Sequence, residues 1–136
     1  MQSQLKILFL DDHAGLRDGI GFLLSQKNEN LSFLYATNRE EGEKILRENS
    51  EISLAIIDLN LEDESKDGLS ALKAFRKIKS DLKAIIFTMY ADPIHIEQAL
   101  KSGVQGYITK NAEIEELENA ILTVASGKTC FNSAAC

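Results

Sequence analysis

The chain has 136 residues, 44% of them hydrophobic and 26% charged, which fits one globular domain with a single sizeable core and is too short for two. Its net charge of -6 argues against a general nucleic-acid surface, because sequence-independent binding to phosphates needs clustered Lys and Arg. No stretch approaches the roughly 20 apolar residues that cross a bilayer, and the N-terminus has no basic region followed by a long apolar one, so no membrane partner and a cytoplasmic location are expected.

Short strand-like runs alternate with longer helical periods. Residues 5–10 form a nearly unbroken apolar strand interrupted by Lys6, and a helix follows with Leu16, Ile20, Leu23 and Leu24 expected on its buried face. Residues 31–35 read as a second strand. Asn38 then opens a helix with Glu40 and Glu41 in its first turn and Arg47 near its end, which complements the helix dipole. Residues 54–57 make the third strand and 69–79 the third helix, residues 84–88 the fourth strand. A fourth helix begins near Pro93, which suits a first helical position, and stops near Ser102 and Gly103. Residues 106–108 give a short fifth strand, and Ile114, Leu117, Ile121, Leu122 and Ala125 mark a last helix. Cys130 and Cys136 fall in the last seven residues, where they cannot staple a fold and are too few for a structural zinc site.

Strands this uniformly apolar, each followed by a helix, predict an α/β fold with a parallel sheet covered on both faces. Right-handed crossovers make it a doubly wound three-layer sandwich, and five units are most compatible with the strand order 2-1-3-4-5. Strands one and three are then neighbours at the switch point, where ligands bind at the carboxyl ends. Asp11 and Asp12 close strand one and Asp58 closes strand three, so their carboxylates converge there. Acids that close repel one another, and the cluster makes most sense around a hard divalent cation; an all-oxygen ligand set suits Mg²⁺. An Asp beside such an ion can also act as a nucleophile towards phosphorus.

Asp11 and Asp12 after strand one, Asp58 after strand three, Thr88 ending strand four, and Tyr107 and Lys110 around strand five stand in a fixed order, with 22 residues from Thr88 to Lys110. Over essentially its whole length the chain resembles the receiver domain of bacterial two-component response regulators. That family is itself the standard example of the flavodoxin-like, CheY-like order 2-1-3-4-5, so the order is part of the resemblance and no independent derivation. The resemblance implies that Asp58 is the phosphoacceptor, and that Mg²⁺ is held by Asp12, Asp58 and the backbone carbonyl of Asn60, with Asp11 acting through water. Lys110 would reach the phosphoryl oxygens as a point charge, Thr88 would donate its hydroxyl to one of them, and Tyr107 would change rotamer as Thr88 moves. Implied partners are a sensor histidine kinase and, on activation, a second copy through helix one or the face of helices four and five. Taken singly, each residue has a plainer role: solvated loop acids for Asp11 and Asp12, a turn cap for Thr88, an exposed charge for Lys110, packing for Tyr107.

Several positions depart from the family pattern. The segment from Asp58 to Gly68 lacks the usual Met-Pro, is longer than the family's common spacing, and carries Glu62, Asp63, Glu64 and Asp67. Acids there would hinder a dianionic phosphodonor unless they point to solvent. Asn111 replaces the Pro that often follows the Lys. Thr88, Met89 and Tyr90 and the tail 125–131 resemble the NarL/LuxR type, in which a linker and a helix-turn-helix domain follow. Residues 1–128 are therefore expected to be the receiver and 129–136 the start of a linker or tail, the chain being either a receiver from a larger regulator, with DNA binding left to a domain absent from this chain, or a stand-alone receiver. The rival readings are a pseudo-receiver that serves as a protein-interaction module without phosphorylation, and a flavodoxin-like electron carrier. The second would need a Ser-, Thr- and Gly-rich loop after strand one, where Asp11, Asp12 and His13 stand. An aspartate-based hydrolase is disfavoured by Asn60, which occupies the place of a second acid. His13 beside the acids and His95 further on are each more simply read as exposed.

Overall fold

The computed structural model describes residues 4–59 and 67–131. Ten elements alternate along the chain: β1 (Leu5–Leu10), α1 (Ala14–Lys27), β2 (Leu31–Ala36), α2 (Arg39–Glu48), β3 (Leu54–Ile57), α3 (Gly68–Ile78), β4 (Lys83–Thr88), α4 (Pro93–Lys101), β5 (Gly106–Thr109) and α5 (Ile114–Ala125). All four strand pairings are parallel, in the order β2-β1-β3-β4-β5. The α/β doubly wound sandwich expected from the sequence is what the chain forms.

Alternation along each strand splits the core in two, because successive side chains of a strand point to opposite faces. Leu8, Leu10, Ala55, Ile57, Ala84 and Ile86 face Leu46, Leu72, Phe75 and Ala99 from α2, α3 and α4. Ile7, Phe9, Leu54, Ile56, Ile85 and Phe87 face Leu24 of α1 and Leu117, Ala120, Ile121 and Val124 of α5. With both faces covered, a continuous apolar run is the only pattern that β3 can carry, and all four of its residues are buried.

The helix starts follow local chemistry. The Asn38 side chain accepts the Glu41 N–H at 2.9 Å while Glu41 accepts the Thr37 N–H at 2.6 Å, so two otherwise orphaned donors are satisfied. Asp67 accepts the Ser70 N–H at 2.8 Å and caps α3, and Asp92 caps α4 just before Pro93. Gly103, at φ +73°, lets the chain leave α4 through the left-handed region that a side chain disfavours. After α5 the chain returns to the sheet: Cys130 donates its N–H to Gln105 O at 2.9 Å and accepts the Tyr107 N–H at 3.0 Å along β5.

The expected buried face of α1 needs correction. Leu24 is buried as expected and Ile20 packs partly buried against the core, but Leu16 and Leu23 are 50% and 52% exposed, and the fully inward stripe is Arg17, Gly21 and Leu24. Gly21 lies against the Tyr35 ring, closer than any side chain would permit, and this seats the helix on β2 through its glycine. The Arg17 guanidinium stacks over the same ring at 5.3 Å. No helix among the described residues is long and apolar enough to cross a membrane.

Candidate functional site

The sheet brings the strand ends together residue by residue. Leu10 pairs with Ile57, Ile57 with Ile86, and Thr88 with Thr109. The ladder runs one step further at each end: Asp11 N–H bonds Ala36 O at 3.1 Å, Asp58 N–H bonds Leu10 O at 3.0 Å, and Lys110 N–H bonds Thr88 O at 2.8 Å. Backbone hydrogen bonds thus fix where Asp11, Asp58 and Lys110 leave the sheet, before any side chain interacts.

Their side chains then meet. Lys110 Nζ donates to Asp11 Oδ2 at 2.7 Å and to Asp58 Oδ2 at 3.1 Å, with all three side chains no more than 5% exposed. The ammonium also lies 5.9 Å from the centre of the Phe87 ring. Burial would lower the Lys110 pKa, but the hydrogen bond that its ammonium donates to Asp11 and the charges of Asp58 and Asp11 outweigh it and hold the pKa above the usual lysine value. The plainer reading of Lys110 as a solvated charge is therefore excluded. Asp12 is largely buried, its side chain 8% exposed, and one ligand atom each from Asp11, Asp12, His13 and Asp58 falls within a 4.8 Å span.

Three carboxylates against one ammonium leave the cluster two negative charges in excess, at the C-terminal edge of a parallel sheet. Oxygen donors gathered this tightly, with a charge deficit of two, fit a divalent cation of the Mg²⁺ or Mn²⁺ kind. When bound, such an ion would neutralise and orient anionic oxygens of a ligand brought to this edge.

Thr88 is fully buried at the end of β4, and its Oγ1 lies 3.4 Å from the Tyr90 N–H. That oxygen accepts the Tyr90 N–H within the turn before α4, the turn-cap contact expected for Thr88, while Asp92 caps the helix itself. Tyr107 is 3% exposed and its hydroxyl donates to Tyr90 O at 2.7 Å, which ties β5 to the segment that follows Thr88. Burial, with a smaller contribution from the Asp92 charge, pushes the Tyr107 pKa up to about 12. Met89 is exposed, whereas Tyr90 stacks on His95 with centroids 4.1 Å apart, and Asp92 holds the His95 ring at 2.6 Å.

Asn60, Glu62, Asp63 and Glu64 lie outside the described residues. Asp67, the last acid of that loop, is occupied as the α3 cap. At Asn111 the side chain accepts the Thr109 hydroxyl, and the Lys110–Asn111 bond is trans.

Two features of the site are not visible as motifs. Arg17, only 7% exposed, donates from Nη1 to Asp11 O and to Thr37 Oγ1, each at 3.1 Å, so α1 clamps the main chain of the acidic turn. Its only sequence signal is an arginine four and seven residues before the buried Gly21 and Leu24. Gly68 packs on the carbonyl of Asp58, so closely that a Cβ would stand 2.9 Å from that carbonyl carbon. The first residue of α3 thereby fixes the strand end that carries Asp58.

Comparison with known proteins agrees with this geometry. The family described as the response regulator receiver domain matches residues 7–122. Among curated relatives, the oxygen regulatory protein NreC of Staphylococcus epidermidis is 33% identical over 126 residues, covering 92% of this chain and 56% of its own length. The chain thus spans about half the length of the curated relatives it matches. A LuxR-family two-component response regulator from Aurantimonas sp. SI85-9A1 superposes with a TM-score of 0.85 at 25% identity, over 95% of this chain and 90% of that one. A LuxR-family DNA-binding response regulator from Staphylococcus aureus gives 0.76 at 26% identity, over 88% and 98%.

Proposed function

The chain belongs to the response regulator receiver domain family, and from that premise we propose that it takes a phosphoryl group from the phosphohistidine of a sensor kinase onto Asp58. Receiver domains are signalling switches and not metabolic enzymes. In the transfer, a carboxylate oxygen of Asp58 forms the new O–P bond, the N–P bond of the donor breaks, and the imidazole nitrogen of the donor takes up a proton. Lys110, already bonded to Asp58 Oδ2, supplies a fixed positive charge beside the incoming phosphoryl oxygens. Thr88 would donate its hydroxyl to one of them.

Asp11, Asp12 and Asp58 would hold Mg²⁺, with the carbonyl of Asn60 as a further ligand, and the same site would return the domain to its resting state by admitting water to the acyl phosphate. Movement of the segment from Thr88 to Tyr90 reaches the surface through the Tyr107–Tyr90 hydrogen bond, so β5, α4 and α5 carry the output. Residues 1–128 would constitute the receiver and 129–136 the start of a linker or a C-terminal tail; the controlled partner would be an attached or separate transcription-regulating domain, in the cytoplasm, with dimerisation on activation.

One observation carries this reading: Lys110 bonds both Asp11 and Asp58 where the strands end. The test is intact-protein mass spectrometry after incubation with acetyl phosphate and Mg²⁺. The wild-type chain gains one phosphoryl group and Asp58→Asn gains none. No gain in the wild type would instead establish the pseudo-receiver, an interaction module with the same fold.

A further inference from the structure

We propose that His13 adds an imidazole nitrogen to the cation site of Asp11, Asp12 and Asp58, giving a mixed nitrogen and oxygen donor set that favours first-row transition ions over Mg²⁺. The inference rests on the cation site proposed above and concerns which ion that site selects.

His13 Nδ1 lies 3.3 Å from Asp11 Oδ1 and 3.2 Å from Asp12 Oδ1. Two donors about 2.1 Å from a common ion stand about 3.0 Å apart when adjacent in an octahedron and about 3.4 Å apart in a tetrahedron. The 3.2 Å separation from Asp12 Oδ1, a direct ligand of that site, falls in that interval. The ring is placed by its own main chain: the His13 N–H donates to Asp11 Oδ1 at 2.9 Å, while the His13 C=O accepts the Arg17 N–H at 2.9 Å and starts α1. His13 occupies the N-cap position of α1, yet its side chain makes no capping hydrogen bond, so the helix does not use the imidazole.

The ring is also reachable, since 63% of the His13 side chain is exposed against 1% for Asp11 and 3% for Asp58. His13 therefore forms the outer wall of a site whose floor is buried carboxylate. Both histidines meet carboxylates, but differently: the His95 ring is stacked on Tyr90 and held by both oxygens of Asp92, at 2.6 and 2.7 Å, whereas His13 Nδ1 meets one oxygen of Asp11 and one of Asp12 at the longer 3.3 and 3.2 Å, with no ring among the described residues stacked on it.

Carboxylate, carbonyl and water ligands suit Mg²⁺, whereas imidazole raises affinity for Mn²⁺ through Ni²⁺ in the usual order of first-row ions. A nitrogen donor at the rim thus shifts preference away from Mg²⁺ without removing any oxygen ligand. A receiver with this donor set would load according to which divalent ion is available to it.

The test uses the full chain with Mn²⁺ alone, followed by electron paramagnetic resonance. Loss of the free Mn²⁺ signal measures binding, and electron spin echo modulation reports a directly bonded ¹⁴N. Expected is Mn²⁺ binding by both wild type and His13→Ala, with nitrogen modulation in the wild type only. Calorimetric titrations with Ni²⁺ and Mg²⁺ should then show the Ni²⁺-to-Mg²⁺ affinity ratio falling by about tenfold or more in His13→Ala. Thermal melts of the two proteins confirm that both are folded. Mn²⁺ bound without nitrogen modulation, or modulation that persists in His13→Ala, overturns the role of His13 while the carboxylate site stands. Absence of Mn²⁺ binding in the wild type overturns both.

Discussion

Gly68→Ala tests how the strand end bearing Asp58 is held. A Cβ at this position would stand 2.9 Å from the carbonyl carbon of Asp58 and 3.0 Å from Ile57 Cγ2, and nearer still to the Asp58 carbonyl oxygen. Carbon atoms pack best at about 3.5–4.0 Å, so the overlap is about 0.5–1 Å. Most of it falls on main chain, whose N–H is bonded to Leu10 O at 3.0 Å, so no side-chain rotation relieves it. Either Asp58 moves or the first turn of α3 lifts away with its Gly68 N–H to Leu59 O bond. Overpacking costs about 1–3 kcal/mol, and a backbone obstacle puts this case at the upper end, about 2–3 kcal/mol. At about 3–5 °C per kcal/mol for a chain of this size, the melting temperature falls by about 6–15 °C. Gly19→Ala is the internal control, because nothing lies within 4 Å of a Cβ there and replacing a mid-helix glycine stabilises by about 0.5–1 kcal/mol. Circular dichroism melts and urea titrations read both variants, and the rate of phosphorylation by acetyl phosphate drops in Gly68→Ala alone. A Gly68→Ala protein that melts at or above the wild type and is phosphorylated at the same rate would refute the packing argument.

Lys110→Met leaves Asp11 and Asp58 buried without their shared ammonium, and breaking a buried pair from one side costs about 3 kcal/mol in a metal-free urea titration. Excess Mg²⁺ should recover part of that loss by binding the native state, and wild-type stability in metal-free buffer would contradict the assignment of Lys110. Tyr107, with its pKa pushed from 10.0 to about 12, keeps its proton in the folded chain where the unfolded chain has lost it. Its contribution to stability is whole below pH 10 and declines from there to about pH 12, and ultraviolet difference titration should show the last tyrosinate step vanish in Tyr107→Phe; a step that survives the substitution belongs to another tyrosine.

The fold was legible because its signals are local and repeated. A parallel sheet buried on both sides leaves no choice but uninterrupted apolar strands, and β1, β3 and β4 announce themselves that way. Asn38 and Pro93 mark helix starts by chemistry confined to one turn. Helix α1 defeated the same logic. Its leucines define a plausible apolar face, but the helix is seated by contacts that hydrophobic counting cannot weigh, a glycine under the Tyr35 ring and an arginine reaching back to the Asp11 carbonyl. Small and charged residues score as polar or neutral in a periodicity argument, yet here they are the buried ones. Leu16 and Leu23 are left on the surface as a consequence.

The acids were legible for a different reason: a strand terminus is a position, and two adjacent parallel strands make two termini into one place. What spacing could not supply is the division of labour inside Asp11. Its Oδ2 accepts from Lys110 at 2.7 Å, its Oδ1 accepts the His13 N–H at 2.9 Å, and its carbonyl oxygen accepts Arg17 at 3.1 Å. One residue therefore joins the ammonium that follows β5, the main-chain N–H at the start of α1 and the guanidinium one turn later. Each partner is distant in sequence or unremarkable in type, so no window of residues contains the set. Charge brought to Asp58 must then be felt at Lys110 first and at Asp11 next, because the ammonium is shared between them at 3.1 and 2.7 Å. On the proposed function, a phosphoryl group on Asp58 would draw Lys110 towards itself and weaken its hold on Asp11 Oδ2, freeing that oxygen to accept another donor or a cation.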